Sequence, residues 1–254
     1  MKPDYKNWMP KGMVLGFLAA AFGALLLSLV WGLAGVVGKV FLVIAILLAI
    51  ITIWMFLMYR AFSYNGSRQM SKQIIEGVSS YVKIPDGGKG LDVGCGSGAL
   101  TIACAKKNPN AQMVGIDRWG KEYASFSKTL CESIAKADGT VYVTFDQGDA
   151  TKLGFEDETF DAVTSNYVYH NIPSRDRQAI LLETLRTLKK GGTFAIHDIM
   201  SKSKYGDMQN FAEKLKDMGY EDVKLIDTTS GMFMSKFEAT WMGLSGSTIL
   251  MSRK

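Results

Sequence analysis

The stretch KGLDVGCGSGAL, residues 89–100, decides how the rest of the chain is read. A short apolar run, Leu91 and Val93, breaks into three glycines at alternate positions: Gly94, Gly96 and Gly98, with Cys95 between the first two. An apolar helical pattern follows through Ala99, Leu100, Ile102 and Ala103. The order predicts strand, tight turn, helix. Glycine lacks a Cβ, so it reaches positive φ at little cost and lets a ligand approach the backbone. The start of the helix adds free N–H groups and the positive end of its dipole. Such a turn suits a nucleotide-like ligand at the carboxyl end of a strand.

Working outward, strand-like and helix-like blocks alternate from Leu91 to the last residues. Strands are expected at Gly90–Val93, Gln112–Asp117, Val141–Phe145, Phe160–Asn166, Thr193–Asp198, Asp222–Asp227 and Thr248–Ser252. Helices are expected at Ala99–Lys107, Lys121–Ala137, Asp176–Leu188 and Asp207–Met218. This alternation predicts an α/β domain with a mostly parallel sheet covered on both faces. No helix is evident between the last two strands.

Two cofactor classes use a turn of this kind. A dinucleotide pattern can be laid on Gly94, Gly96 and Ala99. The fuller description is Asp92-x-Gly94-x-Gly96-x-Gly98, which resembles the first motif of class I S-adenosylmethionine-dependent methyltransferases. Asp117 ends the second strand, where an acid can accept the hydroxyls of a ribose in either class. Three more stretches follow in order: Gly148-Asp149-Ala150, then LGFEDETFDAV (153–163), then LKKGGTFAIHDI (188–199). They resemble the family's adenine-side motif, its "LPF.D..FD.V" signature and its "LkpGG" run, with Gly154 and Lys190 where proline is usual. An NAD-linked oxidoreductase would not carry the last two.

The resemblance implies a Rossmann-like seven-stranded sheet of order 3-2-1-4-5-7-6 over residues 81–254, with S-adenosyl-L-methionine as cofactor. It implies that Asp92, Gly94, Cys95, Gly96 and Gly98 hold the cofactor at the first turn. Asp117, Arg118 and Trp119 would do so at the second. Gly148, Asp149 and Ala150 would flank the adenine, and the Asn166 carbonyl would serve the methionine end. The chain has two histidines, His170 and His197. Both fall at carboxyl ends of strands, where a doubly wound sheet presents its crevice. The resemblance makes His170, Tyr167 and His197 the catalytic candidates facing a methyl acceptor, and His197 and Asp198 are placed to orient one another. Residues 228–244 carry Met232, Phe233, Met234, Phe237, Trp241 and Met242 before the final strand, a composition suited to an apolar acceptor or to lipid.

The first 60 residues are of another kind. They hold +4 of the chain's net charge of +5, yet no charged residue lies in 12–38 or 40–59. Each run is about 20 residues or longer, enough to cross ~30 Å of hydrocarbon. The expectation is a two-helix membrane hairpin in residues 1–60, with spans near 13–34 and 40–59 and a connection at Gly35, Gly38 and Lys39. A signal peptide would be one shorter block. Lys2, Lys6 and Lys11 precede the first span, and Arg60, Arg68 and Lys72 follow the second, so both termini and the catalytic domain are expected in the cytoplasm. Small residues at Gly12, Gly16, Ala19, Ala20 and Gly23 form a face for packing within the hairpin. Residues 61–80 read as a linker into an amphipathic helix carrying Met70, Ile74, Ile75 and Val78, near the site entrance.

The remaining charge is close to balanced, which gives no basic face for nucleic acid. The three cysteines lack CxxC spacing, so free thiols are expected and no metal site. The reading is a membrane-anchored methyltransferase acting on a small lipophilic acceptor at the bilayer, its oligomeric state open. The alternatives are a cofactor-binding membrane sensor or assembly subunit without turnover, and an NAD(P)-linked oxidoreductase.

Overall fold

The computed structural model describes residues 3–120 and 125–254. Lys2 of the basic N-terminal segment, and the start of the helix expected from Lys121, lie outside those residues. The chain divides into two compact units, Lys6–Lys72 and Gln73–Lys254, the latter including the residues before Lys6.

The first unit is a pair of helices, α1 (Lys11–Val30) and α2 (Val36–Phe62). At 1.5 Å per residue they run about 30 and 40 Å, and both are long and apolar enough to cross a bilayer. The buried residues of α1 are Val14, Ala21, Ala24 and Ser28, a seam at helical spacing. Gly38, Ala45 and Thr52 are buried on α2. Ser28 and Thr52 donate their hydroxyls to the carbonyls of Leu25 and Leu48, so neither leaves a polar group unpaired. Outward side chains such as Phe22, Leu29, Ile50 and Ile53 are exposed.

Two expectations are corrected here. The connection is Trp31–Gly35, and Gly38 and Lys39 already lie in the first turns of α2. A Cβ at Gly38 would run into the Gly32 carbonyl, so the glycine serves a close approach rather than a turn. The small-residue face is not the seam: a Cβ added at Gly12, Gly16 or Gly23 would meet nothing, and Ala19 and Ala20 are exposed. Val14 and Ser28, which a small-residue count passes over, are on the seam.

The second unit is built on seven strands, β1 (Lys89–Val93), β2 (Gln112–Asp117), β3 (Val143–Gln147), β4 (Phe160–Asn166), β5 (Leu188–Ile199), β6 (Glu221–Asp227) and β7 (Ser247–Arg253). Their order is β3-β2-β1-β4-β5-β7-β6, as the resemblance implies. β1 to β5 pair in parallel, and β7 runs antiparallel between β5 and β6. That last hairpin departs from the all-parallel 3-2-1-4-5-6 sheet of dinucleotide-binding domains. Leu91, Val93, Val163, Phe194 and Ile196 are fully buried, the mark of strands covered on both faces.

The helices of this unit are α3 (Met70–Val78), which enters it, then α4 (Ala99–Lys107), α5 (Lys128–Ala137), α6 (Arg177–Arg186), α7 (Lys202–Tyr205), α8 (Met208–Asp217) and α9 (Lys236–Trp241). Ser127, Asp176 and Asp207 cap α5, α6 and α8 by accepting from the backbone N–H three residues on in each helix. Leu181, Leu185, Phe211 and Leu215 close the core over the sheet.

β3 starts two residues later than expected, because Val141 and Tyr142 are exposed. β5 starts at Leu188, and the LKKGG run forms its irregular first part, with Gly191 at φ +78° and a register shift opposite Phe160. The short α7 and α9 were not expected. α9 opens with a capping box in which Ser235 and Glu238 exchange side-chain and backbone bonds.

Candidate active site

The glycine turn closes as its composition predicts. Gly94, Gly96 and Gly98 all have positive φ, +73°, +55° and +79°. The Gly94 and Cys95 N–H groups both donate to the Ile116 carbonyl, at 2.7 and 2.9 Å, so the turn folds over the end of β2. There Asp117 accepts from the Gly96 N–H through Oδ2 (2.9 Å) and from the Trp119 N–H through Oδ1 (2.8 Å). The Trp119 indole donates to the Gly96 carbonyl (3.0 Å). Trp119 is therefore tied into the turn, with φ at +44°. Arg118 next to it is exposed. Cys95 and Cys131 are buried beside this turn, and Cys131 donates to the Gly96 carbonyl.

Asp92 stands apart from the other two acids. It is buried to 1 % exposure, and its carboxylate accepts from the Thr101 hydroxyl at 2.6 Å and the Thr164 hydroxyl at 3.1 Å. Burial pushes its pKa up to about 7, against the pull of those two hydroxyls. Asp92 links β1, β4 and α4 from beneath the turn, whereas Asp117 lies at its rim. Asp149 is exposed after β3, and its Oδ1 accepts from the N–H and hydroxyl of Thr151. Those bonds, the side-chain one first, hold its pKa below the usual carboxylate range. The preceding Gly148 N–H donates to the Asp117 carbonyl (3.0 Å), which brings the second and third motifs together.

On the other side of the turn, β4 runs into residues 167–172. Val168 packs on Gly94 so closely that a Cβ there would strike its side chain. His170 follows on a single 3₁₀ turn, half-buried, with Nδ1 paired to Oδ1 of the fully buried Asp198. The His170 N–H also reaches Asp198 Oδ2 at 3.2 Å. Burial of Asp198 would raise its pKa, but the bond from His170 and others outweigh it, and the carboxyl stays below its usual range.

The expected pairing of His197 with Asp198 is thus corrected. Neighbours on a strand point to opposite faces, so their side chains part. His197 instead bonds Asn166 Oδ1 (2.8 Å) and Thr228 Oγ1 (2.9 Å), and burial lowers its pKa to about 3. It is a neutral, enclosed side chain. Its ring lies against Tyr167 (4.6 Å between centroids) and Phe233 (5.7 Å). Phe233 also meets α3 at Gly77, where a Cβ would strike its ring. Tyr167, at φ +55°, shares a hydroxyl bond with Ser247 (2.8 Å).

The structure thus brings the glycine turn, Asp117, Trp119 and Gly148 together at the carboxyl ends of β1 to β3. It sets His170 and Asp198 past β4 and on β5. The residues fit S-adenosylmethionine: among the described residues a Cβ on Gly96 would have only Phe126 near, at 3.8 Å, and the rim acid Asp117 is half-buried beside it. Nothing in the sequence signalled Thr101 and Thr164 as partners of Asp92. Sequence reasoning also passed over Arg177, whose guanidinium binds the carbonyls around His170. Among the described residues no cluster of His, Cys, Asp or Glu could hold a metal ion.

Comparison with known proteins fits this geometry. A Methyltransferase domain model matches residues 84–242. A demethylmenaquinone methyltransferase of Lactobacillus johnsonii is 30 % identical over 165 residues, 61 % of this chain and 65 % of that protein. A ubiquinone/menaquinone biosynthesis C-methyltransferase, UbiE, of Desulfotalea psychrophila is 33 % identical over 108 residues, 42 % of this chain and 40 % of that one. The chain therefore spans less than two thirds of the length of these relatives. Among solved structures, geranyl diphosphate methyltransferase with GPP and sinefungin shares the fold at TM-score 0.57 and 14 % identity, over 77 % of this chain and 82 % of its own. With the sheet order, the glycine turn and the match over more than half its length, the chain belongs to the methyltransferase domain family, in its class I, S-adenosylmethionine-dependent form.

Proposed function

We propose that this chain methylates a quinol-type, lipophilic acceptor at a bilayer, with His170 and Asp198 as the proton-accepting pair. The observation that carries the reading is that pair, its histidine two residues past the Val168 that rests on the glycine turn. The names of the relatives support the acceptor class, and the helices α1 and α2 support the bilayer.

When bound, S-adenosylmethionine supplies a methyl group on a positively charged sulfur. Gly94 to Gly98, Asp117, Trp119 and the Gly148–Ala150 turn would hold it, with Asn166 toward its methionine end. The protein's work is then to orient the acceptor and take its proton. A phenolic hydroxyl that loses its proton makes the adjacent ring carbon nucleophilic; once that carbon has taken the methyl group, its own hydrogen leaves as a proton and the oxygen takes a proton back, so one proton is released overall. Asp198 holds Nδ1 of His170, which leaves Nε2 to accept that proton, and the buried carboxylate balances the charge that results. Positioning of the reactants contributes about 7–11 kcal/mol in reactions of this kind, and a general base about 10²–10⁴-fold. Met232 and Phe237, both exposed in the stretch that precedes β7, supply apolar surface for such an acceptor. Asp92 acts at one remove, by tying α4 through Thr101 and β4 through Thr164 to the strand that leads into the turn. The membrane arrangement has both ends of the hairpin and the catalytic unit in the cytoplasm, with Trp31–Gly35 on the far side.

The test is calorimetry of the full chain in detergent with S-adenosylhomocysteine, followed by transfer of tritiated methyl to chemically reduced demethylmenaquinone. Labelled quinol supports the reading. Binding without any labelled product defeats the acceptor assignment, and no binding defeats the enzyme reading.

A further inference from the structure

Arg177 opens α6, the positive end of a helix, where a cation is disfavoured by the helix dipole. All five of its hydrogen bonds go to main-chain carbonyls. Nε donates to Tyr169 O (3.0 Å); Nη2 to Ile172 O (2.9 Å) and, at longer reach, His170 O (3.5 Å); Nη1 to Ser174 O (3.1 Å) and Lys204 O (2.9 Å). Four of those carbonyls belong to the turn that carries His170 and the residues just after it. The fifth belongs to α7, one residue before Tyr205. The buried Tyr205 hydroxyl stands by Asp198: burial first, and then that carboxylate's charge, raise its pKa. Gln178 adds a bond from Nε2 to the Tyr205 carbonyl (2.8 Å).

We propose that Arg177 is a positioning residue for the acceptor side: its guanidinium binds the His170 turn to α7 and thereby sets the imidazole against Asp198. The proposal rests on the reading of His170 and Asp198 as the proton-accepting pair. Only a guanidinium has the donors to do this. Its planar fork carries five N–H groups in fixed directions, whereas a lysine ammonium has three around one point. The 3₁₀ turn is short, and its carbonyls have few partners within it. Without Arg177 the backbone after His170 would lose its link to α7, and the turn would be held by Val168 on the glycine turn, the buried Tyr169 with its hydroxyl on Thr184, and the Asp198 contacts. A misplacement of about 1 Å at a reacting group costs on the order of 100-fold in rate.

The chain's two histidines make this testable in the full chain in detergent micelles, with ¹⁵N-labelled histidine. His170 is expected to show a downfield Nδ1–H signal from its bond to Asp198, and His197 is the internal control. In Arg177→Lys and Arg177→Ala the His170 signal is expected to shift or broaden while that of His197 stays. With demethylmenaquinol as acceptor, kcat should fall about 100-fold with S-adenosylhomocysteine affinity unchanged. Ethylguanidinium should restore part of the activity of Arg177→Ala and none of that of Arg177→Lys. An unchanged His170 signal in Arg177→Ala overturns the proposal. So do two histidine signals that move together, or the unfolding of both variants, since either describes a residue that merely holds the fold. If His170→Gln keeps full activity, the proton-accepting reading fails, yet the His170 signal still reports whether Arg177 positions the ring.

Discussion

Single side chains carry the pH behaviour expected of this protein. The buried Asp92 has its pKa raised to about 7, so the folded state holds its proton more tightly than the unfolded chain does. That contribution is full below about pH 4 and is lost as pH rises through 7, a change on the order of 4 kcal/mol. Asp92→Asn should therefore gain stability relative to the parent between pH 5 and pH 8, read as the difference in melting temperature at those two values. His197 works the other way. Its pKa falls to about 3, so its contribution is full above about pH 6.5 and drains as pH falls, by about 2 kcal/mol at pH 5. On the proposed reading of His170 and Asp198 as the proton-accepting pair, Asp198→Asn should lower the rate of methyl transfer by about 10²–10⁴-fold with little change in cofactor affinity, as measured in single turnovers. The glycine turn, Asp117 at the end of β2 and the position of His170 just past β4 are legible in the sequence, because turn conformation and strand ends set them. The partner of His170 is not legible there. Which of two adjacent residues on β5 faces that turn depends on strand register, and register comes from pairing between distant segments.

Elements show the same division. The strands of the sheet are legible because a strand buried on both faces carries apolar side chains, as Phe194–Ile196 does, while β1 shows itself by Leu91 and Val93 leading into the glycine turn. α7 and α9 are not legible, since four and six residues are too few to show a period. Gly94→Ala should destabilise the catalytic unit by about 2–5 kcal/mol, because φ is positive and the new methyl meets Val168. Denaturant unfolding would measure it, and S-adenosylhomocysteine binding should vanish with it. The capping box of α9 is a milder test. Ser235→Ala should cost about 1 kcal/mol locally, seen as faster amide exchange over 236–241 with the β5–β7 pairing unaffected.

For the molecule as a whole, the two units differ in kind, and composition alone separated them: α1 and α2 are apolar on their outer surface, while the sheet unit hides its apolar residues. What composition could not tell is which stripe of α1 meets α2, since small residues occur on both faces. If the hairpin crosses the bilayer with both ends inside, Leu33→Cys should react with a membrane-impermeant maleimide applied to intact cells, and Ser67→Cys should not. Both positions are exposed in the folded chain, so a difference between them reports the membrane and not burial. Reaction at both, or at position 67 alone, contradicts that topology. One contact also bears on how the protein could be re-engineered. The isopropyl group of Val168 is the lid of one binding turn and, two residues before His170, the hinge pin of the other. A bulkier residue would push the glycines apart, and a smaller one would let the imidazole drift. On the proposed reading of the two turns, donor affinity and acceptor turnover cannot be tuned separately at this position, and variants selected for a new acceptor should leave it alone.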